Sequence, residues 1–295
     1  MKITFHGVRG SIPAPGPDTV KYGGNTTCIE VRSDAGDLII LDGGTGIRQL
    51  GLELLRELPV HCSIFITHTH WDHIQGLPFF TPLFIPGNRI DFYGAFDPVY
   101  MKDLKAILTQ QMEYCYFPIT ENELKARISY HTLSESEQTH IGSARVTNIL
   151  LNHPVLNFGY LVEADGKRFF FTGDNEPPLN PYEPDDKNHQ MYAELIEQRK
   201  QHIIDFIRGV DLIVIDAQYT REEYLKDKMG WGHGYYESSI EMAREAGIPR
   251  VRITHHDPAR TDQQLDAIHQ RLRDQGLLPD DMEVEFAREG VTIER

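Results

Sequence analysis

The chain has 295 residues, 40% of them hydrophobic, and a formal net charge of −15. That length and apolar content allow a large buried core, no apolar run is long enough to span a membrane, and so acidic a chain repels long nucleic acid, which is held largely by Lys and Arg neutralising phosphate. Three widely spaced cysteines, Cys28, Cys62 and Cys115, form no paired motif and suit a reducing, cytoplasmic setting, with Cys28 and Cys62 as small core residues.

The opening Met1-Lys2-Ile3-Thr4-Phe5-His6 reads as a strand and lacks the continuous apolar stretch of an export signal. A loop rich in Gly and Pro follows from Gly7 to Gly24, then a hairpin of Thr27–Ser33 and Leu38–Asp42 around Asp34-Ala35-Gly36-Asp37. Asp42-Gly43-Gly44-Thr45-Gly46 opens a helix whose apolar face is Ile47, Leu50, Leu54 and Leu58. The apolar run Ser63-Ile64-Phe65-Ile66 reads as a buried strand leading into Thr67-His68-Thr69-His70-Trp71-Asp72-His73. Residues two apart in an extended chain point the same way, so His68 and His70 can grip one ion. Asp72 and His73, where the chain turns, can face a second; imidazole with carboxylate suits zinc and similar first-row metals. A surface loop of polar residues is the bland alternative to this pattern. Asp97-Pro98 predicts a helix start, with a helix running to about Met112 and presenting Leu104, Ile107, Leu108 and Met112 on one face.

The strand-like Arg145–Ile149 precedes His153, and a hairpin through Asp165-Gly166 leads to a strand ending at Asp174. Residues 176–208 are an insertion before the strand Asp211–Asp216, placed either as a lid over the site or as a surface helix or homodimer contact. Helices are predicted from Ser238 to Ala246 and from Thr261 to Gln275, the second with the capping-box pattern Thr261-Asp262-Gln263-Gln264. Between them Arg250–Thr254 reads as a strand ending at His255. With no repeat, low-complexity segment or linker, residues 1–295 read as a single α/β domain. His6, His61, His131, His140, His189, His202 and His269 have no partner spacing.

His68-x-His70-x-Asp72-His73 resembles the H-x-H-x-D-H signature of the metallo-β-lactamase superfamily, in its dinuclear hydrolase branch. The resemblance implies a four-layer αβ/βα sandwich with two metals at one edge of two facing sheets. It implies three further ligands in order: His153, then Asp174 bridging both ions, then a last histidine. In ribonuclease Z relatives that last ligand directly follows a strand-ending Thr, which selects His255 over His256 and leaves His256 behind a ligand or facing substrate. The two divalent ions are expected to be zinc because imidazole predominates, with Mn2+ or Fe2+ as alternatives. In relatives the D-x-G-x-G motif lies beneath the metals; Asp42 is read there as an acceptor orienting a ligand histidine, or as a turn and N-cap.

Val210–Tyr219 and Gly232-His233-Gly234 resemble the ribonuclease Z segments that carry its general acid and the carboxylate orienting it. Carried over, His233 is the acid and Asp216 its partner, with Asp72 also among the catalytic groups. Asp216 stands where ribonuclease Z has Glu, and Gly234 where a small hydroxyl residue is common. Only twenty residues separate His153 from Asp174, so the RNA-clamping arm that ribonuclease Z carries there has no room. The resemblance therefore favours small-molecule phosphodiesterases, including cyclic ones. Gly7–Ser11 and Gly23–Thr27 resemble their N-terminal loops, with Arg9 a candidate phosphate contact. The expected activity is metal-dependent hydrolysis of a small anionic phosphodiester. A thioester or lactone hydrolase of the glyoxalase II type shares the ligand set, and a non-enzymatic metal-binding module is the remaining alternative.

Overall fold

Strands form where β-branched and aromatic residues cluster, and whether a run alternates or is continuous tells how many of its faces are covered. The computed structural model describes residues 1–294. The first half of the chain supplies β1 (Lys2–Gly7), β2 (Cys28–Arg32), β3 (Leu38–Leu41), helix α1 (Ile47–Glu53), β4 (His61–Phe65), α2 (Trp71–Ile74), β5 (Arg89–Gly94), α3 (Leu104–Gln110) and β6 (Arg127–Thr132). The second half supplies β7 (Gln138–Ile141), β8 (Ala144–Leu151), β9 (Asn157–Ala164), β10 (Lys167–Phe171), α4 (His189–Ile207), β11 (Leu212–Asp216), α5 (Arg221–Glu223), α6 (Tyr236–Glu245), β12 (Arg250–Thr254), α7 (Asp262–Asp274), β13 (Glu283–Phe286) and β14 (Thr292–Glu294). They assemble into two seven-stranded sheets, in the orders β14-β1-β2-β3-β4-β5-β6 and β13-β12-β11-β10-β9-β8-β7. In each sheet antiparallel hairpins give way to a parallel run, β3 to β6 in the first and β10 to β13 in the second.

Phe169-Phe170-Phe171 shows how the layers are made. Phe169 and Phe171 point between the sheets, packing with Phe5, Phe65, Tyr160 and Val214. Phe170 points the other way, with Ile213 and Ile215, against Ile204 and Ile207 of α4 and Ile240 of α6. On the outer face of the first sheet Ile40 and Ile64 pack against Leu50 of α1 and Leu104 and Leu108 of α3. Helices, sheet, sheet and helices make the four-layer αβ/βα arrangement that the family resemblance implies. Each large side chain so buried contributes roughly 1.5–3 kcal/mol.

Two predicted helices are shorter than their patterns. The helix expected from Asp97 begins six residues later: Asp103 is the N-cap, accepting from the Ala106 N–H at 2.8 Å, and Asp97 instead accepts from the Val99 N–H in a turn. After α1 the chain tightens into a 3₁₀ turn over Leu54–Arg56, which carries Leu58 off the apolar face and into solvent. The capping box at α7 forms as its sequence predicts. No helix among the described residues is long and apolar enough to cross a membrane.

Candidate metal centre and active site

The loops leaving β4, β8, β10, β11 and β12 meet at one edge of the two sheets, where strand ends leave backbone and side chains free to face a ligand. His68, His70, His153 and Asp174 each bring one ligand atom to within 4.8 Å of the others, and Asp72, His73, Asp174 and His255 do the same. Asp174 joins the two groups. Its Oδ2 lies 3.5 Å from His68 Nε2 and 3.8 Å from His153 Nε2, while its Oδ1 lies 3.3 Å from His73 Nε2 and 3.2 Å from His255 Nε2. All seven residues named from the sequence therefore converge. His68 and His70 leave from the loop after β4 rather than from the strand itself, His70 being the extended residue that precedes α2.

The donor set fits two divalent ions. His68 Nε2, His73 Nε2 and Asp174 Oδ1 are buried without a hydrogen-bond partner among the described residues, which is costly for polar atoms unless a cation meets them. Imidazole and carboxylate without thiolate suit zinc, manganese or iron. Burial holds His68 well below its ordinary pKa and His153 at about 4, so both stay neutral, the form that ligates. At His73 burial also pulls downward, but Asp174, Asp72 and Asp42 outweigh it and raise the group, so ligation there displaces a proton.

Surrounding groups fix the orientation of these side chains. Buried Asp42 accepts from His73 Nδ1 at 2.7 Å and from the Thr67 N–H at 2.7 Å, which leaves His73 Nε2 facing the site. The Ser11 N–H donates to Asp72 Oδ2 at 2.7 Å, so the N-terminal loop completes the second group. Ser11, Asp42 and His255 have φ of 63°, 62° and 61°; non-glycine residues held in this left-handed region cost about 1–3 kcal/mol each and gather at functional sites. His153 Nδ1 donates to the Gly232 carbonyl at 2.8 Å, and a Cβ on Gly232 (φ 89°) would come within 2.6 Å of that same Nδ1. A Cβ on Gly10 would meet the His255 ring at 2.3 Å, so this contact also requires glycine.

His233 stands beside the shared carboxylate. Its Nδ1 is 3.2 Å from Asp216 Oδ2 and 3.7 Å from Asp174 Oδ2, and its ring stacks on His255 with centroids 4.8 Å apart. Burial lowers its pKa, but Asp216 and Asp174 more than offset this and lift it to about 9. Asp216 is buried and also accepts from the Asn175 N–H at 3.1 Å and the Gly234 N–H at 3.3 Å. Next to His233 the Tyr219 ring stands edge-on at 6.2 Å and forms part of a 310 Å³ cleft with Lys226, Lys228, Asp257 and Arg260.

One expectation is corrected here, and one of two open roles is removed. Arg9 does not face an anion: it is fully buried, donating from Nε to the Gly23 carbonyl at 2.8 Å and from one terminal nitrogen to the carbonyls of Arg260 (2.8 Å) and Asp257 (3.1 Å). His256 does not face substrate: it is buried, bonded to the Ala287 carbonyl at 2.9 Å, and burial lowers it to about 3. One residue was missed. Glu176, buried, accepts from Tyr224 Oη at 2.8 Å and from the N–H groups of Gly230 (2.6 Å) and Gly232 (2.8 Å), tying the start of the 176–208 segment to the loop that carries His233. Its only sequence signal was an acid two residues after Asp174. The helix of that segment, α4, packs Ile203, Ile204 and Ile207 onto the second sheet, and its Tyr192, Ile196, Arg199 and Ile203 border a 750 Å³ groove with α6 that none of the seven converging residues lines.

A ribonuclease Z of Staphylococcus aureus is 24% identical over 307 aligned positions, covering 92% of this chain and 94% of its own. The crystal structure of the metallo-β-lactamase fold protein YhfI from Bacillus subtilis superposes with a TM-score of 0.67 at 18% identity, over 99% of each chain. That of a diphosphatase from the PhnP family gives 0.67 at 18% identity, over 100% of this chain and 97% of the other. Residues 38–256 match the Beta-lactamase superfamily domain. Taken with the two facing sheets and the histidine–aspartate cluster at their shared edge, that match makes this chain a member of the beta-lactamase superfamily, a hydrolase of the metallo-β-lactamase fold.

Proposed function

We propose that the protein is a dinuclear metal-dependent phosphodiesterase that cleaves a small anionic diester, with His233 as general acid and Asp216 as the group that orients it. The observation that supports this most directly is the His233–Asp216 contact beside the carboxylate shared by both ligand groups. His68, His70, His153 and Asp174 would hold one ion and Asp72, His73, Asp174 and His255 the other, with zinc favoured over manganese or iron. Such ions, when bound, would acidify water and neutralise charge on a phosphoryl oxygen.

The chain's own contribution is the proton. Asp216 engages His233 at Nδ1, which leaves Nε2 to carry a proton to the departing oxygen, and the neighbouring Asp216 carboxylate favours the protonated ring. An alkoxide leaves poorly without that proton, whereas a thiolate does not need it, so a thioester hydrolase of the glyoxalase II type would give His233 little to do. A net charge of −15 favours one small anion over a polymer. The free thiols of Cys28, Cys62 and Cys115 suit a cytosolic setting.

The test is His233→Ala loaded with metal. It should keep both ions by elemental analysis and lose about 10²- to 10⁴-fold in rate on an alkyl diester. The loss should shrink on a p-nitrophenyl diester, whose leaving group needs no proton. Equal losses on both substrates, or loss of an ion, would remove the general-acid role; good turnover of a thioester with none of a diester would remove the phosphodiesterase reading.

A further inference from the structure

We infer that Asp216 positions two histidines at once: the proposed acid His233 through Oδ2, and the metal ligand His255 through Oδ1. The inference rests on the reading of the site as a metal centre and is independent of the substrate.

The two oxygens of Asp216 are unequally used. Oδ2 lies 3.2 Å from His233 Nδ1 and accepts from the Asn175 N–H at 3.1 Å and the Gly234 N–H at 3.3 Å. Oδ1 is buried and has no hydrogen-bond partner among the described residues. A buried carboxylate oxygen without a donor is costly, so a donor for it should stand nearby. His255 Nδ1 is 3.7 Å away, and it too is buried with no hydrogen-bond partner among the described residues. Each atom supplies what the other lacks.

The His255 ring is turned to suit this pairing. Its Nε2 faces Asp72 Oδ2 at 3.1 Å and Asp174 Oδ1 at 3.2 Å, the carboxylates of its own ligand group, so Nε2 is the atom for an ion and Nδ1 carries the ring proton. His233 and His255 stack with an interplanar angle of 23°, and both present Nδ1 to the one carboxylate. Gly10 packs against the same part of His255, where a Cβ would come within 2.3 Å of Nδ1. Asp216 is held in place through its backbone: its N–H donates to Thr172 Oγ1 at 3.2 Å, and its carbonyl accepts from Ser239 Oγ at 2.7 Å. At 3.7 Å the Oδ1–Nδ1 pair is not a hydrogen bond, and closing by about half an ångström makes it one. Ligand histidines keep their orientation by donating the second ring N–H to a carboxylate or carbonyl. Here that carboxylate also orients the acid, so ion and proton are registered on one side chain.

The experiment measures zinc affinity of the full chain by competition with a chromogenic chelator, with no substrate present. In Asp216→Asn the N–H groups of Asn175 and Gly234 keep the amide oxygen on the His233 side, so its NH2 faces the His255 N–H and cannot accept from it. Affinity for an ion should fall by about 10- to 100-fold. His233→Ala should bind zinc as wild type does, and Asp216→Asn added to it should bring the same fall, because the effect passes through His255. Unchanged affinity in Asp216→Asn, or a fall that vanishes in the His233→Ala background, would overturn the inference. A second measurement needs no variant. In zinc-loaded, 15N-histidine-labelled wild type, the His255 Nδ1 proton should resonate far downfield and exchange slowly; a proton missing from Nδ1, or exchanging as fast as that of an exposed imidazole, would overturn it equally. The dinuclear reading is tested apart from this by wild-type zinc stoichiometry, and the phosphodiesterase reading by turnover.

Discussion

Glu176 offers the sharpest test of how the site is held together. Its Oε1 accepts from Tyr224 Oη at 2.8 Å and the Gly230 N–H at 2.6 Å, and its Oε2 accepts from the Gly232 N–H at 2.8 Å. Glu176→Gln keeps the shape but supplies only one accepting oxygen, so at least one buried N–H must face an amide that also donates. Leaving one buried donor unpaired costs about 1–3 kcal/mol, and the remaining bonds weaken when the acceptor loses its charge. A total of about 2–4 kcal/mol is expected, or a fall in melting temperature of roughly 3–6 °C for a chain of this size. The kinetic signature matters more. Gly232 adjoins His233 and its carbonyl holds His153, so a loosened loop misplaces the proposed acid, and a displacement of about 1 Å can cost on the order of 10²-fold. The loss should be large on an alkyl diester and small on a p-nitrophenyl diester. Added to His233→Ala, Glu176→Gln should cost almost nothing further in rate. Additive losses in that double variant, or equal losses on both substrates, would refute the idea that Glu176 acts by placing His233.

Asp42→Ala should lower metal affinity by about 10- to 100-fold, the usual worth of a group that orients a ligand histidine, because it frees His73 Nδ1; competition with a chelator reads this directly, and unchanged affinity would contradict it. Glu30 gives a pH signature away from the site. Burial raises its pKa, but hydrogen bonds from His6 and Arg32 win and hold it below 4.5, so its stabilisation is present above that value and is lost as the pH falls through the lowered folded one. Chemical denaturation of Glu30→Gln should therefore show weaker acid dependence than wild type, and parallel curves would remove the assignment. Arg9→Met should lower stability by about 2–3 kcal/mol, since one buried and two partly buried carbonyls lose a charged donor, yet leave KM for a phosphodiester near wild type; a large rise in KM at unchanged stability would restore Arg9 as a phosphate contact.

The metal cluster was legible because its chemistry is local. Four residues of Thr67–His73 carry ligand atoms at fixed spacing, whereas the remaining members, His153, Asp174 and His255, were named only through the ligand order that the family resemblance implies, each lying after a recognisable strand. Asp42 showed itself through the glycines beside it; it is an acceptor for His73 and a turn residue with left-handed φ, but it caps no helix, because α1 starts after Gly46 without a side-chain cap. What could not be read is what depends on partners far along the chain. Glu176 finds its acceptor role 54 and 56 residues away, at two backbone N–H groups that no side-chain pattern advertises. Arg9 sat in a glycine-rich loop that suits an anion equally well; the carbonyls of Asp257 and Arg260 that claim it lie some 250 residues on. The helix expected at Asp97 failed for a different reason. Asp97 and Asp103 are both competent caps, and the packing of Leu104 and Leu108 onto the first sheet selects the second.

His68, His70, Asp72 and His73 hang from one sheet, and His153, Asp174 and His255 from the other. The ions would therefore act as rivets across a seam, and the seam is filled by apolar side chains such as Phe65, Tyr160 and Phe169 with no ligand atom among them. Binding energy spent on aligning two halves is subtracted from affinity, so the quality of that filling sets how tightly metal is gripped. A cavity opened at Phe169, which supplies no ligand atom, would be felt first as a protein that gives up its ions more readily and only later as one that unfolds.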